Sequence, residues 1–295
     1  MLGIPVRYLL KHPAAAAELL RDPYDTWTRL RESYLGERER RMAPCRYEAD
    51  HDWEPRLHEA IGAAWPCPLR AEFGELWTRV MRELEAMGIQ PGPESFRDWN
   101  DGDAGFVRAI WCLIRHLNLR TIVETGVAHG VTSRFILEAL EANGDGQLSS
   151  IDVPPLERDW KWQVGIAVPA HLTGRWSYIA GASRRRLPAL LSTLGQIDLF
   201  VHDSLHTARN VTFELERAWP ALQPGSAVVV DDIDANWGFH LFTQRGYASQ
   251  HLVCEAEPIR PDYRRFNDKG LFGIALKPPF TTGHPTARPP FAAVL

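Results

Sequence analysis

The sequence predicts an α/β fold: a doubly wound, mostly parallel sheet of seven strands whose last strand runs antiparallel, preceded by an N-terminal helical cap. Three observations carry this expectation. From about Asp103 to Lys277, short apolar runs alternate with segments of helical periodicity. The last two apolar runs are joined by a polar segment holding Arg260, Pro261, Arg264 and Arg265, with no crossover helix, so they pair antiparallel. Before residue 100 the chain is rich in Arg, Glu, Trp and Pro and lacks β-branched runs.

The elements follow from local pattern. In the cap, Phe73, Leu76, Trp77, Val80, Met81, Leu84 and Met87 recur at three- and four-residue steps, predicting a helix over 71–87 that Gly88 stops. That stripe reads as core or subunit contact, and a homo-oligomer is compatible with it. The charged run Glu37–Arg41 reads as a solvated helix face. A helix through Phe106, Ile110, Ile114 and Leu117 opens the main domain. Strands are expected at 121–124, 148–152, 177–180, 198–202, 227–231, 252–255 and 271–276, with helices at 132–142, 184–194, 211–222 and 237–245. The expected division is therefore 1–100 cap, 101–277 sheet domain and 278–295 a Pro-rich extended arm.

Composition sets outer limits. With 295 residues, 45% hydrophobic and 24% charged, the chain can bury a substantial core. A formal net charge of -4 provides no concentrated basic surface for nucleic acid. No run approaches the roughly 20 apolar residues of a membrane span. Arg7, Lys11 and Pro13 interrupt the apolar start, and the expectation is a cytoplasmic protein. Cys45, Cys67, Cys112 and Cys254 are widely separated, with no Cys/His cluster of zinc-binding spacing along the sequence, which predicts free thiols.

In open α/β sheets ligands bind beyond the carboxyl ends of the strands, and here those positions form a set. The first strand ends in Glu124-Thr-Gly126-Val-Ala128-His-Gly130, directly before a helix carrying Ser133. Glycines there permit a tight turn and close ligand approach. The turn lacks the GxGxxG spacing of a dinucleotide site. The second strand ends at Asp152, whose carboxylate could accept both ribose hydroxyls of a nucleoside or be a loop acid. The third ends in Gly181-Ala182-Ser183, a small-residue turn that could border an adenine ring or let Ser183 cap a helix.

The segments ETGVAHGVTS, SIDVPP, IAGASRRRLPALL and IDLFVHDSLHT with VVVDDI resemble class I S-adenosylmethionine-dependent methyltransferases, which have a Rossmann-like sheet. The likeness covers about residues 100–277, and points to the metal-dependent O-methyltransferases of the catechol type and of bacterial natural-product sugars. It implies S-adenosyl-L-methionine as cofactor. Glu124, Gly126 and Gly130, with Ala128 and Ser133 in the same turn, would line its methionine end. Asp152 would hold the ribose, Gly181, Ala182 and Ser183 would meet the adenine, and Asp203 would border the site.

Asp203 ends the fourth strand, and Asp231 with Asp232 ends the fifth. Adjacent strands bring these carboxylates to one rim, where they repel unless a cation or protons intervene. Oxygen-rich ligation suits Mg²⁺, and the resemblance implies that Asp203, Asp231 and Asp232 hold it. His206 could then deprotonate an acceptor hydroxyl before in-line attack on the methyl group. The catechol-type enzymes place Lys at the equivalent spacing, whereas the sugar-modifying ones resemble the His version. A metal-independent methyltransferase, a non-catalytic cofactor-binding protein and a metal hydrolase using His202 are the alternatives. Capping or orienting a loop would also account for His202 or His206, and His202 itself reads as buried or hydrogen-bonded structure. Trp160, Trp162, His171 and Trp176 could form a lid or pack as core. The resemblance implies a small hydroxylated acceptor, a sugar or phenol, with neither nucleic acid nor membrane as partner.

Overall fold

The computed structural model describes residues 22–39, 41–42, 45–88, 103–153, 155, 161–248, 250–257 and 270–279. Among the described residues three helices come first: α1 (Pro23–Glu39), α2 (Trp53–Ala60) and α3 (Arg70–Ala86). Then α4 (Ala104–Leu117) leads into β1 (Thr121–Thr125), α5 (Val131–Asn143), β2 (Gln147–Asp152) and β3 (Trp176–Ala180). The remainder is α6 (Ser183–Leu194), β4 (Ile197–His202), α7 (Ala208–Ala221), β5 (Leu222–Val230), α8 (Gly238–Gln244), β6 (Gln250–Glu255) and β7 (Leu271–Leu276).

The seven strands form one sheet in the order β3-β2-β1-β4-β5-β7-β6. β1 through β5 are parallel, and β7 lies antiparallel between β5 and β6, as the missing crossover predicts. The order reverses between β1 and β4, the place where a doubly wound sheet opens a crevice for a ligand.

Alternation along the strands divides the core in two. Ile122, Leu199, Val201, Ala227 and Val229 face the side covered by α3, α4 and α5. Val123, Phe200, Val228 and Val230 face α6, α7 and α8. Central strands buried on both faces need continuous apolar runs, which VVV at 228–230 supplies.

The 71–87 stripe packs inward. Phe73, Leu76, Val80 and Leu84 are buried in the same core as α4 and α5, and Phe73 and Trp77 meet Phe135 with ring centroids 5.7 and 5.3 Å apart. The stripe's last member, Met87, is exposed. α1 docks differently: its buried residues are Thr28 and Glu32, and it is held by polar contacts. Glu39 corrects the expected solvated face at 37–41, because its carboxylate accepts the Ala208 N–H at the start of α7 (2.8 Å). The chain before α2 also pairs with the outer strand, Asp50 N–H donating to Val253 O at 2.7 Å.

β5 begins five residues before the expected position at 227, since Leu222 pairs with Ile197 before a register shift restores pairing at Leu199–Ala227. A bulge containing Pro and Gly hid this extension from pattern reading. The Arg-rich link at 260–265, Trp160 and the arm beyond 279 lie outside the described residues.

The tightest approach in the sheet edge is at Gly126, φ +89°, where a Cβ would sit 1.8 Å from the Asp203 carbonyl oxygen. Gly126→Ala therefore lowers unfolding free energy by at least about 2–3 kcal/mol in urea titrations; a loss below about 0.5 kcal/mol would show that this backbone contact does not constrain the fold.

Candidate functional site

The site is built from loops at the carboxyl ends of β1, β2, β3, β4 and β5. The β1 turn is fixed from beneath by hydrogen bonds, Gly126 N–H to Ile151 O (2.9 Å) and Asp203 N–H to Thr125 O (2.8 Å). Ala128 holds a left-handed backbone at φ +48°, an uncommon conformation for a residue with a Cβ. Its carbonyl accepts the Gly165 N–H at 2.9 Å. Gly130 comes so near Gly165 that a Cβ would stand 2.9 Å from that Cα. The loop after β2 is thus clasped onto the glycine turn.

Behind the turn, Glu124 is fully buried and its Oε2 accepts the hydroxyls of Ser133 and Ser150, both at 2.6 Å. Ser150 in turn accepts Trp176 Nε1–H at 2.9 Å, so this tryptophan supports the site from the sheet edge. Trp162 is exposed. Burial pushes the Glu124 carboxyl up to about 7 in spite of the serine hydrogen bonds, with the Asp152 charge adding to the rise. Its Oε1 is buried and has no hydrogen-bond partner among the described residues. A cationic donor in the cleft would satisfy it.

Asp152 ends β2 half-buried, and its carbonyl accepts the Gly181 N–H (2.8 Å), linking the second and third strand ends. Ala182, not Ser183, occupies the cap position of α6, and its N–H donates to Asp25 Oδ1 of α1 at 3.2 Å. Arg185 adds ion pairs to Asp22 (2.7 Å) and Asp25 (3.3 Å). The small-residue turn expected to border an adenine therefore lies against α1, and Ser183 is the first helical residue, its hydroxyl directed to Glu214.

Across the switch point lies the acidic rim. Ligand atoms of Asp203, His206 and Asp231 lie within 4.8 Å of one another. Asp232, on a left-handed backbone at φ +47°, adjoins them through His206, whose Nε2 is 3.8 Å from Asp203 Oδ1 and 3.9 Å from Asp232 Oδ2. Thr132 joins the two halves of the site, donating its hydroxyl to Asp203 Oδ2 at 3.5 Å. Burial and the charges of Asp232, Asp203 and Asp103 lift the Asp231 carboxyl well above the usual range. Asp103, which caps α4 by accepting Phe106 N–H, is itself raised to about 6 by burial. Its place beside the rim was not foreseen, because a capping Asp before a helix has an adequate local role.

The rim rests on a buried hub. Glu214 of α7 accepts from Thr125 Oγ1 (2.6 Å) and Asn210 Nδ2 (2.8 Å), and pairs with His202 Nδ1 (2.6 Å). Burial opposes its charge, yet the histidine and the converging donors hold it down to about 2. His202 is accordingly structural, and its ring lies edge-on to that of His206 with centroids 5.5 Å apart. Glu214 carried no sequence signal: within an amphipathic helix it looks like any surface acid.

Comparison with known proteins adds a partial match. The family model described as a methyltransferase domain matches residues 123–233. No curated protein matches the sequence. Among solved structures, similar ones include the O-methyltransferase TomG from Streptomyces achromogenes, involved in tomaymycin synthesis and solved with S-adenosylmethionine. It has 17% identity and a TM-score of 0.47 over 68% of this chain and 88% of that one. Another is an O-methyltransferase from Bacillus cereus in complex with SAH, with 12% identity and a TM-score of 0.48 over 77% of this chain and 97% of that one.

Glu124 makes stability depend on pH with a definite sign. Its folded value of about 7 exceeds the ordinary 4.5, so its contribution is fully present below about 4.5 and is lost as pH rises through about 7. Urea unfolding at pH 5 and pH 8 should show Glu124→Gln losing less stability than the parent over that interval, by about 3 kcal/mol at most. Parallel pH profiles for the two proteins would refute the assignment.

Proposed function

We propose that this chain, whose residues 123–233 match the model of a methyltransferase domain, is a class I S-adenosylmethionine-dependent O-methyltransferase acting on a hydroxyl of a small molecule, with a divalent metal assisting. The observation that carries this reading is the double position of Asp203. Its carbonyl abuts the Gly126 turn, while its carboxylate joins His206 and Asp231. A methyl donor seated on the turn would thus lie beside the group that prepares the acceptor.

For the cofactor, Asp152 accepts the ribose hydroxyls and Glu124, through its unpartnered Oε1, accepts the methionine ammonium. Gly126 and Gly130 fix the shape of the turn that would meet the methionine end, with Ala128 beside them and Ser133 holding Glu124 from behind. Gly181 and Ala182 border the adenine, and α1 closes over that edge through Asp25.

The donor set fits a divalent ion: Asp203, His206 and Asp231 have ligand atoms within 4.8 Å of each other, and burial together with the charges of neighbouring acids raises Asp231. Asp203 and Asp231 would be the anionic ligands, and Asp232 would contribute charge from the next position. Carboxylate oxygens favour a hard ion such as Mg²⁺ or Mn²⁺, and His206 is kept as the base. When bound, the ion supplies Lewis-acid stabilisation of the acceptor oxyanion. His206 Nε2, poised between Asp203 and Asp232, takes the hydroxyl proton, and the two carboxylates stabilise the imidazolium that results. Transfer of the methyl group then depends mainly on in-line alignment of the two reactants.

Two measurements test the reading. Calorimetry should show S-adenosylmethionine binding weakened about 10–100-fold by Asp152→Ala, the loss of two charge-assisted hydrogen bonds; unchanged affinity would remove Asp152 from the site. Across a panel of sugar and phenol hydroxyls followed by mass spectrometry, methyl transfer should vanish in EDTA, return with Mg²⁺ or Mn²⁺, and fall about 10²-fold in His206→Ala. Full turnover in EDTA would mean a metal-independent enzyme, and cofactor binding without transfer to any acceptor would mean a non-catalytic protein.

A further inference from the structure

Away from the acidic rim, the fold assembles a second cluster that local sequence spacing concealed. His58 on α2, Cys67 in the turn before α3, and Cys112 with His116 on α4 bring their ligand atoms within 4.8 Å of one another. Cys112 and His116 are one helical turn apart and so present both side chains on one face. Cys67 Sγ lies 3.4 Å from His116 Nε2. A tetrahedral zinc with thiolate and imidazole ligands requires ligand-to-ligand edges of roughly 3.3–3.8 Å, so small adjustments would close the set.

The histidine is already oriented for ligation. His58 is completely buried, and its Nδ1 lies 2.8 Å from the carbonyl oxygen of Glu54. A carbonyl only accepts, so the proton resides on Nδ1 and the lone pair on Nε2. That Nε2 is buried and has no hydrogen-bond partner among the described residues. Trp65 packs edge-on against the same ring at 5.0 Å and shields it.

We propose that His58, Cys67, Cys112 and His116 form a closed, tetrahedral Cys₂His₂ site for a structural zinc ion. Sulfur and nitrogen donors select a soft or borderline metal, in contrast to the oxygen-rich rim, and four protein ligands leave no position open for catalysis. The ion fastens the α2–α3 segment to α4, the helix that leads directly into β1. Its chemistry is independent of the proposed methyl transfer.

The test is metal analysis of the full-length protein purified without chelator. Roughly one zinc per chain is expected, retained in Asp203→Asn and lost in His58→Ala and Cys112→Ser. Because the buried variants could fail to fold, the parent protein exchanged with Co²⁺ provides a second measurement. Strong visible d–d bands with a near-ultraviolet thiolate charge-transfer band would identify tetrahedral sulfur–nitrogen ligation. Three results would each overturn the proposal: absence of stoichiometric zinc together with failure to take up zinc or cobalt, a weak octahedral cobalt spectrum, or an intact mass two hydrogens low that maps to a Cys67–Cys112 disulfide.

Discussion

The backbone contact between Gly126 and Asp203 is the constraint on which the site depends. It occurs where the sheet order changes direction, so the ends of β1 and β4 meet at the mouth of the crevice. Any side chain at 126 would drive the two loops apart. With glycine there, the turn that would receive a cofactor and the carboxylate that would serve chemistry share one wall. The hydrogen bonds from Gly126 to Ile151 and from Asp203 to Thr125 hold that wall to the sheet beneath it.

Two buried acids below this wall have opposite electrostatic fates. Glu214 faces a histidine and several donors and stays ionised, which fixes the HDSLHT loop from Ser204 to Asn210. Glu124 meets only two hydroxyl donors, and burial raises it to about 7. The difference follows from the partners: a buried carboxylate is maintained by positive charge or by enough donors, and otherwise takes up a proton. Asp231 repeats the second case more strongly because its neighbours are acids. Positive charge placed at either Glu124 or Asp231 would relieve a penalty already present in the fold.

The N-terminal helices attach by two different kinds of interaction. α3 contributes an apolar face to the main core, so it is a structural part of the sheet domain's packing. α1 contributes acids: Asp22 and Asp25 reach Arg185 and the Ala182 N–H, and the buried Glu32 accepts the Thr207 hydroxyl while pairing with Arg209 at 3.4 Å. Apolar burial is insensitive to salt and tolerant of direction, whereas these contacts are directional and bind α1 to the strand ends. The Cys/His cluster lies at the joint between α2, α3 and α4.

The order of elements, the strand directions and which residues stand at the strand ends were all legible in the sequence. Each is recorded locally, by two- and 3.6-residue periodicity, by glycines after a strand and by acids ending one. Asp152, Asp203, Asp231 and His206 could be singled out because their positions follow from the strands that carry them. Only tertiary structure decided which of those groups meet, why Glu39 is engaged with α7, and how Glu214 and Asp103 stand beneath and beside the rim. It also decided which thiols meet: the four cysteines are free, as the sequence predicts, yet Cys67 and Cys112 come together with His58 and His116 although 44 residues separate the two thiols. The physical reason is that periodicity encodes the face a residue presents, while the identity of what lies opposite depends on how whole helices pack. Along the chain, Gly126 showed only that a tight turn was needed; the folded sheet supplied the Asp203 backbone that makes glycine obligatory there.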